Sequence, residues 1–112
     1  MFQYLLLMYH LSEGPPKDDM AGQQKQWQQY HQELVDAGAL ISNAGLSGVD
    51  SATTVRVRDG ETQITDGPFA ETKEVLAGYF LVEADDLDSA LGYAARMPAS
   101  AYGSVEVRPT WG

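Results

Sequence analysis

Two stretches of this chain alternate in the manner of β-strands yet carry apolar side chains on both faces. In Phe2–Tyr9, the residues Phe2, Tyr4, Leu6 and Met8 point one way, and Gln3, Leu5, Leu7 and Tyr9 point the other. Ala77–Ala84 has the same two-sided character. Such strands need cover on both sides, so one layer of helices alone would leave an oily sheet face in water. Between them, Met20, Trp27, Tyr30, Leu34 and Ala37 fall on one helical stripe, with glutamines and charges filling the gaps. Asp18 or Asp19 suits the N-cap of that helix, and Gly38 suits its stop. A second strand is expected over Ala39–Leu46.

Thr53–Arg58 and Glu61–Thr65 flank the dipeptide Asp59-Gly60, a strong signal for a tight hairpin, with Val55 and Val57 on one face and Arg56 and Arg58 on the other. Asp85 and Asp86 precede a second helix whose inner face is expected to be Leu87, Ala90, Leu91 and Ala94. Arg96 suits its last turn, and Pro98 ends it. Ser104–Pro109 is the closing strand. The order strand, helix, strand, hairpin, strand, helix, strand predicts an α+β fold, a ferredoxin-like two-layer sandwich with an added β-hairpin. The uncovered sheet face predicts a homodimer, in which an identical subunit supplies the missing layer.

Thr65–Glu74, reading Thr-Asp-Gly-Pro-Phe-Ala-Glu-Thr-Lys-Glu, separates the hairpin from the next strand. Gly67 tolerates backbone angles that other residues avoid, and Pro68 fixes its own φ while removing a donor, so the chain must turn here. Phe69 stands among polar neighbours where no strand or helix period requires it. It is expected to return to the core as a plug, with a place in a ligand wall as the other reading.

Composition narrows the function classes. The chain has 112 residues, enough for one core, and 44% of them are hydrophobic. Seven basic residues against sixteen acidic ones give a net charge of −9, which opposes direct binding to nucleic acid or anionic membranes. The absence of cysteine removes disulfides, thiolate metal sites and cysteine nucleophiles. Two histidines form no recognised metal spacing, so no metal is expected. Gly45 and Gly48 follow a strand but precede no helix, so no dinucleotide cofactor is expected either. The segment Met1–Tyr9 lacks the basic start of a signal peptide and is too short to span a bilayer, which predicts a cytoplasmic protein.

Thr53–Gly60, Thr65–Glu74, Gly78–Val82, Asp86–Asp88 and Gly103–Pro109 together resemble the YCII-related proteins of the DGPF subgroup. The resemblance runs over nearly the whole chain, 1–112, as a single domain. It implies a bacterial protein that pairs as a dimeric α/β barrel, with a cleft on each subunit near the sheet and first helix. It also implies an unassigned biochemical role, frequent encoding beside extracytoplasmic-function sigma factors, and distant kinship with small enzymes that isomerise or dehalogenate aromatic-derived acids. The enzyme-like branch carries a His–Asp pair on the first helix. Here Asp36 matches the acid, but Trp27 occupies the histidine position and His31 sits one turn later.

The candidate catalytic residues are therefore Asp66, Asp36 and His31. His31 and Asp36 are five residues apart and do not share a helical face. His31 also suits a packed or rim position, and His10 could stand at a strand end near a cleft. Asp66 is expected to cap the turn at Gly67, or to act as a base where burial raises its pKa. Candidate ligand-binding residues are Arg56, Arg58, Phe69 and Tyr79, the arginines being able to hold a small acidic ligand through its carboxylate. The plainer expectation for Arg56, Arg58 and Arg108 is ion pairing with Glu61, Glu83 or Glu106. The function so predicted is a dimeric small-molecule-binding or regulatory module. The alternatives are a cofactor-free acid–base enzyme and a partner of a sigma factor.

Overall fold

Asp19 starts the first helix from a left-handed backbone (φ 53°), and its carboxylate accepts a hydrogen bond from the Gly22 N–H at 3.1 Å. The computed structural model describes residues 1–111; Gly112, the last residue of the expected domain, lies outside the described residues. The elements are β1 (Phe2–Leu11), α1 (Met20–Asp36), β2 (Leu40–Gly45), β3 (Thr53–Arg58), β4 (Glu61–Asp66), β5 (Glu74–Ala84), α2 (Leu87–Arg96) and β6 (Ser104–Pro109). Short 3₁₀ turns occupy Val49–Ser51 and Pro98–Ala101. Gly38 takes φ 68° just beyond α1, a conformation that an L side chain would strain, and the Ala39 N–H closes the helix end on the Leu34 carbonyl at 2.9 Å.

The main sheet has the order β2-β5-β1-β6, all neighbours antiparallel. Both helices pack on one face, giving a two-layer mixed α+β architecture. The core between the layers holds Tyr4 and Leu6 of β1, Phe80, Val82 and Ala84 of β5, Tyr30 and Leu34 of α1, and Ala90 and Ala94 of α2. Phe80 is its aromatic centre. Its ring stacks on Trp27 at 6.1 Å and meets Tyr30 edge-on at 5.3 Å. Trp27 is thus a packing residue.

The helical stripes are narrower than their spacing predicts. Met20 is exposed at the first turn of α1, and Leu87 and Leu91 remain half in water. In α2 it is the alanines that seat on the sheet, because small side chains let the helix approach closely. The neighbouring leucines then flank the contact instead of filling it. The acidic start of α2 is as expected: the Asp86 carboxylate accepts from the Ser89 N–H at 2.8 Å, and this bond holds Asp86 below the usual carboxylate range. Arg96 stands in the last turn of α2, as expected, and also pairs with Glu33 of α1 at 2.8 Å.

Tyr30 ties the two helices together through its hydroxyl, which donates to the Tyr93 carbonyl at 2.8 Å. Burial pushes its phenol well above the ordinary value of 10.0. The folded state therefore holds this proton more tightly than the unfolded chain does. The stability that results is present below about pH 10 and is lost as pH rises beyond it. The urea midpoint is expected to fall between about pH 9 and pH 11, and to fall less in Tyr30→Phe. Tyr9 and Tyr102 are raised in the same direction, so the variant reduces the slope without removing it. Equal slopes in the two proteins would show that Tyr30 does not carry the effect.

Among the described residues, the opposite face of the sheet has no layer of its own. Leu5, Leu7, Tyr79 and Leu81 lie on it only half-buried, and the shortest dimension of the described chain is 18 Å, room for one sheet and one helical layer. The hairpin β3–β4 forms a separate two-stranded sheet, turned by Asp59 and Gly60 at φ 52° and 77°. These are the paired positive angles of the turn that Asp-Gly favours. Val55, Val57 and Ile64 share one face of this arm and are 59%, 58% and 69% exposed. The radius of gyration, 16.0 Å, exceeds the roughly 13 Å of a compact chain this long, because the arm stands out from the body.

Candidate functional site

A cleft of about 630 Å³ lies where the arm joins the body. Three separate segments build it: the end of β1, the β2–β3 connection running into the base of the arm, and the run from Pro68 into β5. A register shift between Met8 and Tyr9 sets Tyr9 opposite Leu76 at the rim of the uncovered sheet face. Gly67 (φ 98°) locks the loop to the arm: its N–H donates to the Ala52 carbonyl at 2.7 Å, and its own carbonyl accepts from Thr54 Oγ1 at 2.8 Å. The following loop projects Pro68, Phe69 and Ala70 along one wall. Val49, Val75 and Leu76 supply apolar surface, and Glu74 is the charged residue of the lining.

Phe69 does not return to the core. It is 78% exposed and lines the cleft. The plug expectation fails because Gly67 fastens this loop to the arm, while the core between sheet and helices is already sealed by Phe80, Trp27 and Tyr30. Asp66 does not cap the turn, since the bonds that close it use the N–H and carbonyl of Gly67. Asp66 instead ends β4, paired with Thr53 and exposed.

The other sequence candidates are dispersed. His31 and Asp36 are both exposed on α1, and Asp36 accepts from Gln32 Nε2 at 2.8 Å. Neither lines the cleft, and Asp66 lies on a different element from both. Arg56 and Arg58 sit exposed on the arm and make no ion pair among the described residues, whereas Arg108 pairs with Glu106 at 3.1 Å. Tyr79 is half-buried on the uncovered sheet face. Of these candidates, the cleft takes in Phe69 alone.

Two residues absent from the candidates matter more. The Tyr9 hydroxyl donates to Glu106 at 3.2 Å, and desolvation followed by that carboxylate raises its phenol, so it stays protonated at neutral pH. Glu74 opens β5 beside it, in loose contact with Ser104 Oγ at 3.4 Å. A phenol at the end of an otherwise oily strand was the available signal for Tyr9. His10, at the end of the same strand, lines a smaller neighbouring cleft, with Nδ1 2.7 Å from the Leu11 carbonyl.

An antiparallel sheet under two helices, with an apolar cleft at one end, defines a small mixed α+β protein. Residues 2–111 match the YCII-related domain, and the chain belongs to that family. It is also similar to uncharacterized protein R00369 of Rhizobium meliloti (strain 1021), with 44% identity over 79 residues, 69% of this chain. The matched stretch spans 64% of that relative's length. Among the described residues, no helix is long and apolar enough to cross a membrane.

Proposed function

We propose that the protein is a homodimeric small-molecule-binding module whose ligand occupies the cleft between the arm and the body. The observation that carries this reading is the cleft itself: about 630 Å³, largely apolar, with a few polar groups at defined positions. Its size suits a single-ring organic molecule or a short aliphatic one. The dispersal of Asp66, His31 and Asp36 supports binding over acid–base catalysis, because a general base must reach its proton within hydrogen-bonding distance.

The dimer is supported by the uncovered face. Leu5, Leu7, Tyr79 and Leu81 form an apolar field with Glu83, Glu106 and Arg108 on its margin, so the patch carries both signs and is self-complementary. Sheet-to-sheet pairing of two ferredoxin-like subunits, the dimeric α/β barrel, would cover it. The Asp-Gly-Pro-Phe segment aligns the chain with the DGPF-type proteins and forms part of the cleft wall.

The binding reading is tested with an uncharged probe. In an NMR titration, 2-phenylethanol is expected to shift the amides of Val49, Phe69, Val75 and Leu76, and Ala52→Leu, which fills the wall, is expected to abolish those shifts while the far-UV spectrum is unchanged. Shifts scattered over the surface, or shifts equally strong in the filled variant, would retire the cleft as the site.

A further inference from the structure

Six hydroxyl side chains line the cleft; those of Ser47 and Thr53 make no hydrogen bond among the described residues, and the other four share one property. The Tyr9 hydroxyl donates to Glu106, Ser51 Oγ donates to the Gly48 carbonyl at 2.6 Å, Thr54 Oγ1 donates to the Gly67 carbonyl, and Thr72 Oγ1 donates to the Glu74 carbonyl. A hydroxyl has one proton and two lone pairs, so each of these four side chains has its proton engaged within the protein and only lone pairs left for a ligand. The Glu74 carboxylate is an acceptor by nature, and the weak contacts from Ser104 leave most of its capacity free.

Charge points the same way. No lysine or arginine lines this cleft or either of the two that share its walls, whereas Glu13, Asp50 and Glu71 line those neighbours. Lys73 lies between the lining residues Thr72 and Glu74 in sequence but is not part of the lining. Arg56 and Arg58, the residues suited to a carboxylate, are carried on the arm away from it. With a chain charge of −9, an anionic ligand entering here would meet repulsion and find no side-chain cation to offset it.

Resting on the binding reading above, we infer that the cleft selects a cationic hydrogen-bond donor with an apolar body, an aromatic or aliphatic amine, and that Glu74 receives the ammonium group. The apolar walls hold the hydrocarbon part. The ammonium, with three protons to give, satisfies Glu74 and the free lone pairs of Tyr9 together. The small acidic ligand expected from the sequence would find no lysine or arginine in this lining.

The test compares two probes with the same ring and chain, 2-phenylethylamine and 3-phenylpropionate, titrated into the full chain at neutral pH and followed through the cleft amides. The amine is expected to bind more tightly, to weaken as salt is added, and to lose about threefold to tenfold in affinity in Glu74→Gln. Equal or tighter binding of the carboxylate would overturn the charge assignment while leaving the cleft a binding site. An amine preference untouched by Glu74→Gln would equally overturn the role given to Glu74. If neither these probes nor the uncharged alcohol shifts the cleft amides, the binding reading falls and this inference falls with it.

Discussion

Replacing Phe80 by alanine is expected to lower the free energy of unfolding by about 3–5 kcal/mol. Phe80 is only 4% exposed, and its ring touches both aromatics of α1: stacked on Trp27 and edge-on to Tyr30. The substitution removes the hydrophobic burial of the ring, empties the centre of the core and breaks two aromatic contacts together. Because Trp27 and Tyr30 are large and held on one helix, the space cannot close without moving α1. Against a total stability of about 5–15 kcal/mol for a domain, the loss is large enough to leave part of the population unfolded near body temperature. Urea denaturation followed by tryptophan fluorescence measures it. A loss below about 1 kcal/mol would show that the helix settles onto the sheet without the ring, and that the core is less rigid than its packing implies.

Leu81→Lys is the corresponding expectation for the uncovered face. Leu81 points away from the helices, so a lysine there leaves the core untouched and costs the isolated subunit little. In a sheet-to-sheet dimer, the substitution buries two like charges in the apolar field, at whose margin Glu83 stands. The expected result is weakening of the dimer by about 100-fold or more. Light scattering should then report the 12.2 kDa chain, whereas the unaltered protein is expected to scatter as twice that mass. A variant that stays dimeric would place the contact between subunits elsewhere, and an unaltered protein that is already monomeric at micromolar concentration would remove the dimer outright.

Much of this architecture was legible because local chemistry and long-range packing agree. Asp59-Gly60 turns the hairpin, Asp19 and Gly38 bound α1, Asp86 opens α2, and the alternation in Phe2–Tyr9 gives the face assignment of β1. Disagreement arises where neighbours decide. β5 begins at Glu74 rather than Ala77, because the end of β1 is there to pair with it: Leu11, His10 and Tyr9 align with Glu74, Val75 and Leu76. Conversely, β2 is shorter than expected, Leu40–Gly45, and its irregular register leaves Ile41 half in water.

The site was less legible than the fold, and the reason is physical. Its walls come from three stretches that meet only in three dimensions, and the extra residue in the partner strand, Ala77, which sets Tyr9 opposite Leu76, is not revealed by any periodicity of β1. Phe69 shows the limit in the other direction. An isolated aromatic among polar residues signals that something must be covered or contacted, but whether it faces a core or a cavity depends on what its loop is tied to.

That tie has a mechanical meaning. Two hydrogen bonds of 2.7 and 2.8 Å make Gly67 the rivet between the projecting ribbon and the segment that carries Pro68 and Phe69. Ala52 and Thr54 thus belong at once to the lever and to the jaw. A force that swung the ribbon, such as a neighbour gripping its valines and Ile64, would therefore act on the wall of the jaw, and an occupant of the jaw would bear on the ribbon in turn. By reciprocity, grip at one end and occupancy at the other must favour or oppose each other equally.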